Sequence, residues 1–279
     1  METLGDRHPH TLSSINNMGL LLQAMGQLEE ARLLLEEALQ GKRETLGDRH
    51  PETLLSINNM GTLLQDMGKL EEARLLLEEA LQAQRETLGD RHPDTLISIG
   101  NMGGLLMAMG QLEEARPLYE EALQASRETL GDRHPNTLAS IACMGNLLQA
   151  MGQLEEARPL LEEALQGKRE TLGDRHPGTL RSIGNMGQLL QDMGKLEEAR
   201  PLLEEDLQGS RKTLGDRHPI TLGSINSMGQ LLQDMGKLEE ARPLSEEALQ
   251  ASRETLGDRH PHTLNFKQHL DLLLKVMGE

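Results

Sequence analysis

Residues 50–89 read HPETLLSINNMGTLLQDMGKLEEARLLLEEALQAQRETLG, and this stretch decides the fold. Pro51 suits the first turn of a helix, where its missing N–H leaves no hydrogen bond unmade. Apolar and small residues then recur at helical spacing, and Gly68 ends this pattern as a left-handed cap. A second helical pattern runs over about 70–88, and Gly89 closes it. The stretch therefore predicts two antiparallel helices, helix A followed by helix B.

The same pattern recurs along the chain with a period of 42 residues. The heptapeptide TLGDRHP marks this period and begins at Thr3, Thr45, Thr87, Thr129, Thr171, Thr213 and Thr255. A fixed period of roughly 20–50 residues is typical of solenoids, in which each unit packs only on its neighbours. We therefore expect an all-α solenoid of about thirteen helices that forms a single domain over residues 1–279. Six helix pairs are expected over about 8–257, and a C-terminal capping helix over about 261–277.

Composition excludes several classes of partner. The chain has 28 Lys and Arg residues against 45 Asp and Glu residues, a formal net charge of −17. Such an acidic surface repels phosphate groups, so neither nucleic acid nor a membrane surface is an expected partner. No apolar run approaches the roughly 18 residues needed to span a bilayer, and METLGDRHP does not resemble a signal peptide. With Cys143 as its single cysteine, the chain is expected to be cytoplasmic.

The repeated Asp and His of TLGDRHP raise the question of a metal or catalytic site. Helices pack roughly 8–10 Å apart, so equivalent loops of adjacent units cannot bring their ligands to one ion. Only the terminal pairs, His8 with His10 and His260 with His262, offer a weak metal site. Cys143 has no equivalent in the other units and no predicted base. We therefore expect no enzyme, metal or cofactor, and interpret DRHP as a connector whose Asp and His bond free backbone groups.

Small residues at fixed positions indicate how the helices touch. Gly61 lies in the middle of helix A, where Gly costs roughly 1 kcal/mol relative to Ala. We expect it to permit close approach to Ala73 and Ala80 of helix B. A resemblance to the tetratricopeptide repeat rests on the pattern Ile57-x2-Met60-Gly61-x2-Leu64 followed by Ala73-x3-Leu77-x2-Ala80. The period of 42 residues, with HPxTL, NN, GxLEEA and RETLG, resembles the kinesin-light-chain type of that repeat.

The resemblance implies a right-handed superhelix whose A helices line a concave groove. Positions of helix A that vary between units lie on the face turned away from the packing stripe, and are expected to point into this groove. Asn recurs there and offers both a donor and an acceptor to the backbone of an extended peptide. A row of Gln follows about two turns later. The candidate groove residues are Asn16, Asn17, Asn58, Asn59, Asn101, Arg181, Asn185, Asn226, Gln23, Gln65, Gln149, Gln191 and Gln233.

These observations favour a non-catalytic scaffold that binds an extended, neutral or basic protein segment in the groove. One alternative is a ligand-sensing repeat fragment of a larger signalling protein, since the chain opens in the tail of a helix B. Another is a designed or recently duplicated array with no selected ligand. For the Asn and Gln rows, the alternative is a solvated polar face. We expect a monomer, although exchange of near-identical units between chains would give a dimer.

Two departures from the repeat carry expectations of their own. Asp206 occupies the position held by Ala in every other full unit, such as Ala80 and Ala164. We expect its carboxylate to press against Gly187 and to destabilise the array. The last helix A has Asp271 in place of the mid-helix Gly, which predicts a C-terminal cap with a more polar outer face.

Overall fold

The computed structural model describes residues 5, 7–258 and 260–278 of the chain. Within these residues there are thirteen α-helices and no β-strand, which confirms the expected all-α repeat architecture. The A helices are α1 (Pro9–Ala24), α3 (Pro51–Asp66), α5 (Pro93–Ala108), α7 (Pro135–Ala150), α9 (Pro177–Asp192), α11 (Pro219–Asp234) and α13 (Pro261–Met277). The B helices are α2 (Leu28–Leu46), α4 (Leu70–Leu88), α6 (Leu112–Leu130), α8 (Leu154–Leu172), α10 (Leu196–Leu214) and α12 (Leu238–Thr255). Thr3 and Asp6 of the first TLGDRHP copy and Arg259 of the last lie outside the described residues.

The His-Pro pair starts every helix A in the same way. His50 has extended backbone (φ −69°, ψ 137°), and its Nδ1 accepts a hydrogen bond of 3.2 Å from the backbone N–H of Glu52. Pro51 follows at the first helical position, where no backbone donor is needed. The other N-cap histidines are His8, His92, His134, His176, His218 and His260. The connector interpretation therefore holds for His.

The Asp of the connector has a different partner from the one expected. Asp48 Oδ1 lies 3.3 Å from Nε of Arg43, in the last turn of α2. Asp90 pairs in the same way with Arg85, at 3.5 Å. The connector thus makes two contacts: its Asp forms an ion pair with the last turn of helix B, and its His caps the start of the next helix A.

The mid-helix glycines make room for a leucine rather than for the alanines. A Cβ placed on Gly61 would lie 2.6 Å from Leu77 Cδ2, whereas the nearest atom of Ala73 is its carbonyl oxygen at 3.6 Å. The expected close approach to the backbone of Ala73 is therefore present, whereas Ala80 contributes none of the three nearest atoms and the nearest side chain is that of Leu77. In the third repeat Tyr119 takes the place of Leu77, and its ring lies against Gly103. Gly at this position allows a large helix B side chain to be fully buried, since Leu77 is 0% exposed.

The chain forms two compact units, one ending at Thr129 and the other beginning at Leu130. In the first unit, α1 to α5 pack in consecutive pairs, and the neighbouring A helices α1, α3 and α5 also touch. In the second unit, α7 to α13 pack in consecutive pairs, and the A helices α7, α9, α11 and α13 touch in turn. Among the described residues, no helix has the length and hydropathy needed to cross a membrane.

Candidate binding surface on the A helices

Short side chains join successive A helices, and long side chains join successive B helices. Ser56 of α3 donates to Asn16 of α1 at 3.2 Å, whereas Arg43 of α2 reaches Glu79 of α4 at 2.6 Å. Because Asn and Ser are much shorter than Arg and Glu, the A helices lie closer together than the B helices. We call the outward-facing residues of the A helices in each unit the A-helix face. Because the A helices are more closely spaced than the B helices, this face is the one on which the sequence predicts a groove.

The predicted row of asparagines lies on this face. Asn17 is exposed, and Asn59, Asn101 and Asn185 are partly exposed. Two of these side chains also reach the preceding helix A. Asn59 Nδ2 donates to Asn16 Oδ1 at 3.2 Å, and Asn185 Nδ2 donates to Asn146 Oδ1 at 3.1 Å. The row therefore combines surface exposure with bonds that hold neighbouring A helices in register.

Asn16, Asn58 and Asn226 do not lie on the exposed face, so the expectation for this position is wrong. They are 4, 2 and 7% exposed, respectively. Asn58 donates to Ser98 of α5, and Asn226 Oδ1 lies 3.1 Å from His269 Nδ1 of α13. The reason is that this position lies where successive A helices touch. The amide fills the gap between the two helices instead of pointing outward.

The Gln row also joins neighbouring repeats. Gln23 Nε2 donates to Asp66 Oδ2 at 2.7 Å, and Gln149 and Gln191 make the same bond to Asp192 and Asp234, both at 2.6 Å. In the third repeat Ala108 stands where Asp66 stands in the second. Gln65 accordingly lies 3.5 Å from the carbonyl oxygen of Gly104. All of these glutamines are partly exposed, as is Gln233.

Arg181 is exposed at the start of α9, and it influences a buried lysine that the sequence reasoning missed. Lys168 of α8 is 7% exposed, and its Nζ lies 2.9 Å from Ser182 Oγ. Burial, reinforced by the positive charge of Arg181, lowers the pKa of Lys168 to about 8. The equivalent Lys42 lies 3.5 Å from the carboxylate of Glu52. The sequence contained one sign of this difference. Gly178 of the fifth repeat occupies the position that Glu52 has in the second, so the carboxylate beside Lys42 is replaced by a residue without a side chain.

The acidic and imidazole side chains of the described residues do not converge on a point. Among the residues that the structure describes, no group of three His, Cys, Asp or Glu side chains is placed to hold a metal ion. The rings of His8 and His10 are 5.1 Å apart, and those of His260 and His262 are 5.3 Å apart. In both pairs the first histidine already accepts a backbone N–H through Nδ1. Cys143 is partly exposed, and desolvation raises the pKa of its thiol, which disfavours the nucleophilic thiolate.

Two protein-family models match different parts of the chain, and both carry the same description. One family model, described as a tetratricopeptide repeat, matches residues 10–86, 52–106 and 137–212. A second model of the same description matches residues 95–136 and 221–262. These ranges together include well over half of the chain. A comparison with curated protein sequences finds no match.

Solved structures with similar folds are also repeat proteins. One is a kinesin light chain-like protein of Podospora anserina with nearly identical TPR-like repeats, at 33% identity and a TM-score of 0.57. The alignment covers 74% of this chain and 98% of that one. NprR in complex with its cognate peptide NprX has 19% identity and a TM-score of 0.67, with 99% and 74% of the two chains covered. Rap protein complexed with Competence and Sporulation Factor has 13% identity and a TM-score of 0.65, with 95% and 74% covered.

Proposed function

Because the chain belongs to the tetratricopeptide repeat family, with repeats of the kinesin-light-chain type, we propose that it holds an extended segment of another protein on its A-helix face. Repeats of this family are interaction scaffolds, and their stacked units present extended surfaces to partners. The proposal places the segment on α1, α3 and α5 of the first unit. Asn185 and Arg181 would make a separate contact in the second unit.

The observation that carries the proposal is the row Asn17, Asn59 and Asn101. The three residues occupy one position of three successive A helices, and each is at least partly exposed. An amide side chain has two N–H donors and a carbonyl with two lone pairs. The bond from Asn59 to Asn16 therefore leaves capacity for a peptide backbone. A row of such groups at a constant interval suits the repeating donors and acceptors of an extended chain.

The surroundings of the row favour a neutral or basic segment with apolar side chains. Leu55 and Ile97 are 42 and 41% exposed on the same helices, and they offer apolar contacts. Asp94, in the first turn of α5, supplies negative charge beside Ile97, whereas the carboxylate of Glu52 in α3 is already paired with Lys42. The net charge of −17 raises the local concentration of cationic peptides and repels acidic ones. The NprR structure holds its cognate peptide NprX and the Rap structure holds Competence and Sporulation Factor, but their low identity to this chain supports only the fold.

The proposal can be tested with peptides selected from a random display library on the native chain. The dissociation constant of the best peptide is then measured for the native protein and for a variant carrying Asn17→Ala, Asn59→Ala and Asn101→Ala. Each hydrogen bond contributes about 0.5–1.5 kcal/mol, so we expect the variant to bind at least about tenfold more weakly. An acidic version of the same peptide should also bind more weakly than the original.

The matched control removes three amides from the other side of the same repeats. Gln40, Gln82 and Gln124 are exposed on the B helices, where each donates to a glutamate one turn later. Replacing these three with alanine should leave peptide affinity unchanged. Equal affinity in the asparagine variant, with equal helical content by circular dichroism, would show that the row is only a solvated face.

A further inference from the structure

One junction between repeats in the second unit lacks a carboxylate that its counterpart in the first unit contains. In the second repeat, Glu52 Oε2 lies 3.5 Å from Nζ of Lys42 and accepts a hydrogen bond of 3.2 Å from Ser13. Lys168 occupies the position of Lys42 near the end of α8, but Gly178 stands where Glu52 would be. The amine of Lys168 therefore lies at a junction from which the acidic side chain is missing.

A second substitution gives this lysine a different partner. In the first unit, Ser56 of α3 donates to Asn16 of α1. In the second unit Ala142 stands at the position of Asn16, and its side chain offers no acceptor. Ser182, the equivalent of Ser56, instead accepts a hydrogen bond of 2.9 Å from Nζ of Lys168. The hydroxyl group satisfies one N–H of the amine, but it carries no charge to balance that of an ammonium group.

Lys168 is buried without a counter-ion. It is 7% exposed, and no carboxylate of the described residues forms an ion pair with it or with Arg181. Arg181 lies on α9 directly before Ser182, so its guanidinium is within reach of the same amine and repels its positive charge. Cys143 of α7 is the other titratable group that acts on Lys168. Because a buried ammonium group without an opposite charge is costly, this site favours the neutral amine.

A neutral amine at this position is a nucleophile, and its surroundings restrict the reagent. Burial and the charge of Arg181 lower the pKa of Lys168 to about 8, so part of the population carries a free lone pair near neutral pH. The reagent must be small and uncharged to reach so deeply buried a side chain. The product must be an anion if it is to supply the missing counter-charge, which excludes acyl groups and aldehydes, because their adducts with amines are neutral or positively charged. Carbon dioxide meets both conditions, since it converts an amine into a negatively charged carbamate.

We propose that the side-chain amine of Lys168 binds carbon dioxide reversibly as a carbamate, and that Arg181 pairs with the carbamate oxygens. The nitrogen lone pair forms a bond to the carbon of carbon dioxide, one C=O π pair moves onto its oxygen, and a proton leaves the nitrogen for solvent. No oxidant or second reactant is needed. The new group restores a negative charge at a junction where Glu52 supplies one in the second repeat. Carbon dioxide thereby neutralises the exposed positive charge of Arg181 on the A-helix face.

The test compares two lysines at equivalent positions of the same chain. The full chain is equilibrated with isotopically labelled carbon dioxide at a pH near the pKa of Lys168. Carbamates are trapped by alkylation with an oxonium reagent, and mass spectrometry locates the modified peptides. Since one pKa unit changes the neutral fraction of an amine about tenfold, we expect Lys168 to be labelled at least about tenfold more than Lys42. NMR of the labelled carbon in the untrapped chain should show the same carbamate, and Lys168→Met should abolish its signal.

Three variants test the contacts that surround the amine. Gly178→Glu restores the carboxylate of the second repeat and should abolish labelling of Lys168, with helical content unchanged by circular dichroism. Arg181→Gln removes the positive partner of the carbamate and should reduce labelling severalfold. The matched control is Arg175→Gln, which removes another exposed arginine of the same repeat and should leave labelling unchanged.

Three results would overturn the proposal. The first is the absence of a carbamate on Lys168 by both trapping and NMR. The second is equal labelling of Lys42, and the third is undiminished labelling of Lys168 in Arg181→Gln or in a folded Gly178→Glu. The variant with Asn17, Asn59 and Asn101 replaced keeps this junction and should be labelled like the native chain. Failure of the extended-segment proposal therefore leaves this one intact, and the reverse also holds.

Discussion

At the scale of single residues, Asp206 is the clearest conflict between a side chain and its site. It lies in α10 at the position that Ala80 holds in α4, and it is 4% exposed. The carboxylate faces Gly184 rather than the expected Gly187, since a Cβ on Gly184 would lie 2.8 Å from Asp206 Oδ2. Ser210 donates to Asp206 Oδ1 at 3.1 Å. Desolvation raises the pKa of Asp206, although hydrogen bonds from Ser224 and Ser210 partly oppose the rise.

Asp206→Ala should therefore stabilise the fold. A carboxyl group with a raised folded-state pKa favours folding below its unfolded pKa, and this contribution is lost as the pH rises through the folded pKa. The stabilisation should be largest at neutral pH, at about 1–3 kcal/mol, and should shrink in acid. Thermal unfolding followed by circular dichroism at neutral and acidic pH measures it. Asp206→Asn, which removes only the charge, should show less pH dependence than the native chain. A lower Tm for Asp206→Ala at neutral pH would contradict the prediction.

At the scale of helices, the histidine caps of α11 and α13 make the starts of these two helices sensitive to acid. An N-cap histidine accepts a backbone N–H through Nδ1, and this requires the neutral ring. Burial, with a smaller effect of His262, lowers the pKa of His260 to about 4. Burial also lowers the pKa of His218. A base with a depressed folded pKa contributes stability above its unfolded pKa, and loses it as the pH falls through the folded pKa.

The variant His218→Asp with His260→Asp should resist acid better than the native chain. Aspartate is a preferred N-cap residue and keeps its acceptor over this pH range. As the pH falls from the unfolded pKa of about 6.5 to the folded pKa of about 4 for His260, the free energy of unfolding of the native chain should decrease relative to that of the variant. The expected decrease is about 0.5–2 kcal/mol per cap. Urea unfolding at neutral pH and at about pH 5 compares the two chains. His218→Ala with His260→Ala should be less stable already at neutral pH. An identical acid loss in the Asp variant would rule out the caps as the cause.

At the scale of the whole molecule, we expect the surplus of negative charge to outweigh the ion pairs between repeats. Arg85 lies 2.7 Å from Glu121 and Arg211 lies 2.7 Å from Glu247, but all four side chains are more than a third exposed. Such surface pairs contribute about 0–1 kcal/mol each. The net charge of −17 instead adds repulsion that acts along the chain.

Added salt should therefore raise the Tm. Sodium chloride screens the repulsion between carboxylates that are a Debye length or more apart, while the short ion pairs lose little. Differential scanning calorimetry from low to physiological ionic strength measures the slope. A variant with Glu29→Gln, Glu71→Gln and Glu113→Gln, which lowers the negative charge by three, should have a smaller slope. A Tm that falls with salt would mean that the ion pairs dominate.

The sequence alone determined the helices, their ends and their period. The helix B predicted over about 70–88 is observed as Leu70–Leu88, and the helix A predicted from Pro51 begins there. These features are local, because Pro, His and Gly act within one turn of the helix end on which they lie. The recurrence of apolar residues likewise identifies a buried face without reference to any other helix.

Only the tertiary structure decided which polar residues of helix A face outward and which face the next helix A. Asn58 and Asn59 are adjacent in sequence, yet the first is 2% exposed and the second is partly exposed. Asn185 meets a residue 39 positions before it, and Asn59 meets one 43 positions before it. Neither offset equals the period of 42, since it depends on the angle and spacing at which one helix A packs on the next. The periodicity of a single helix does not encode that geometry, so the buried Asn58 and the Gln–Asp bonds between repeats emerged only from the packed fold.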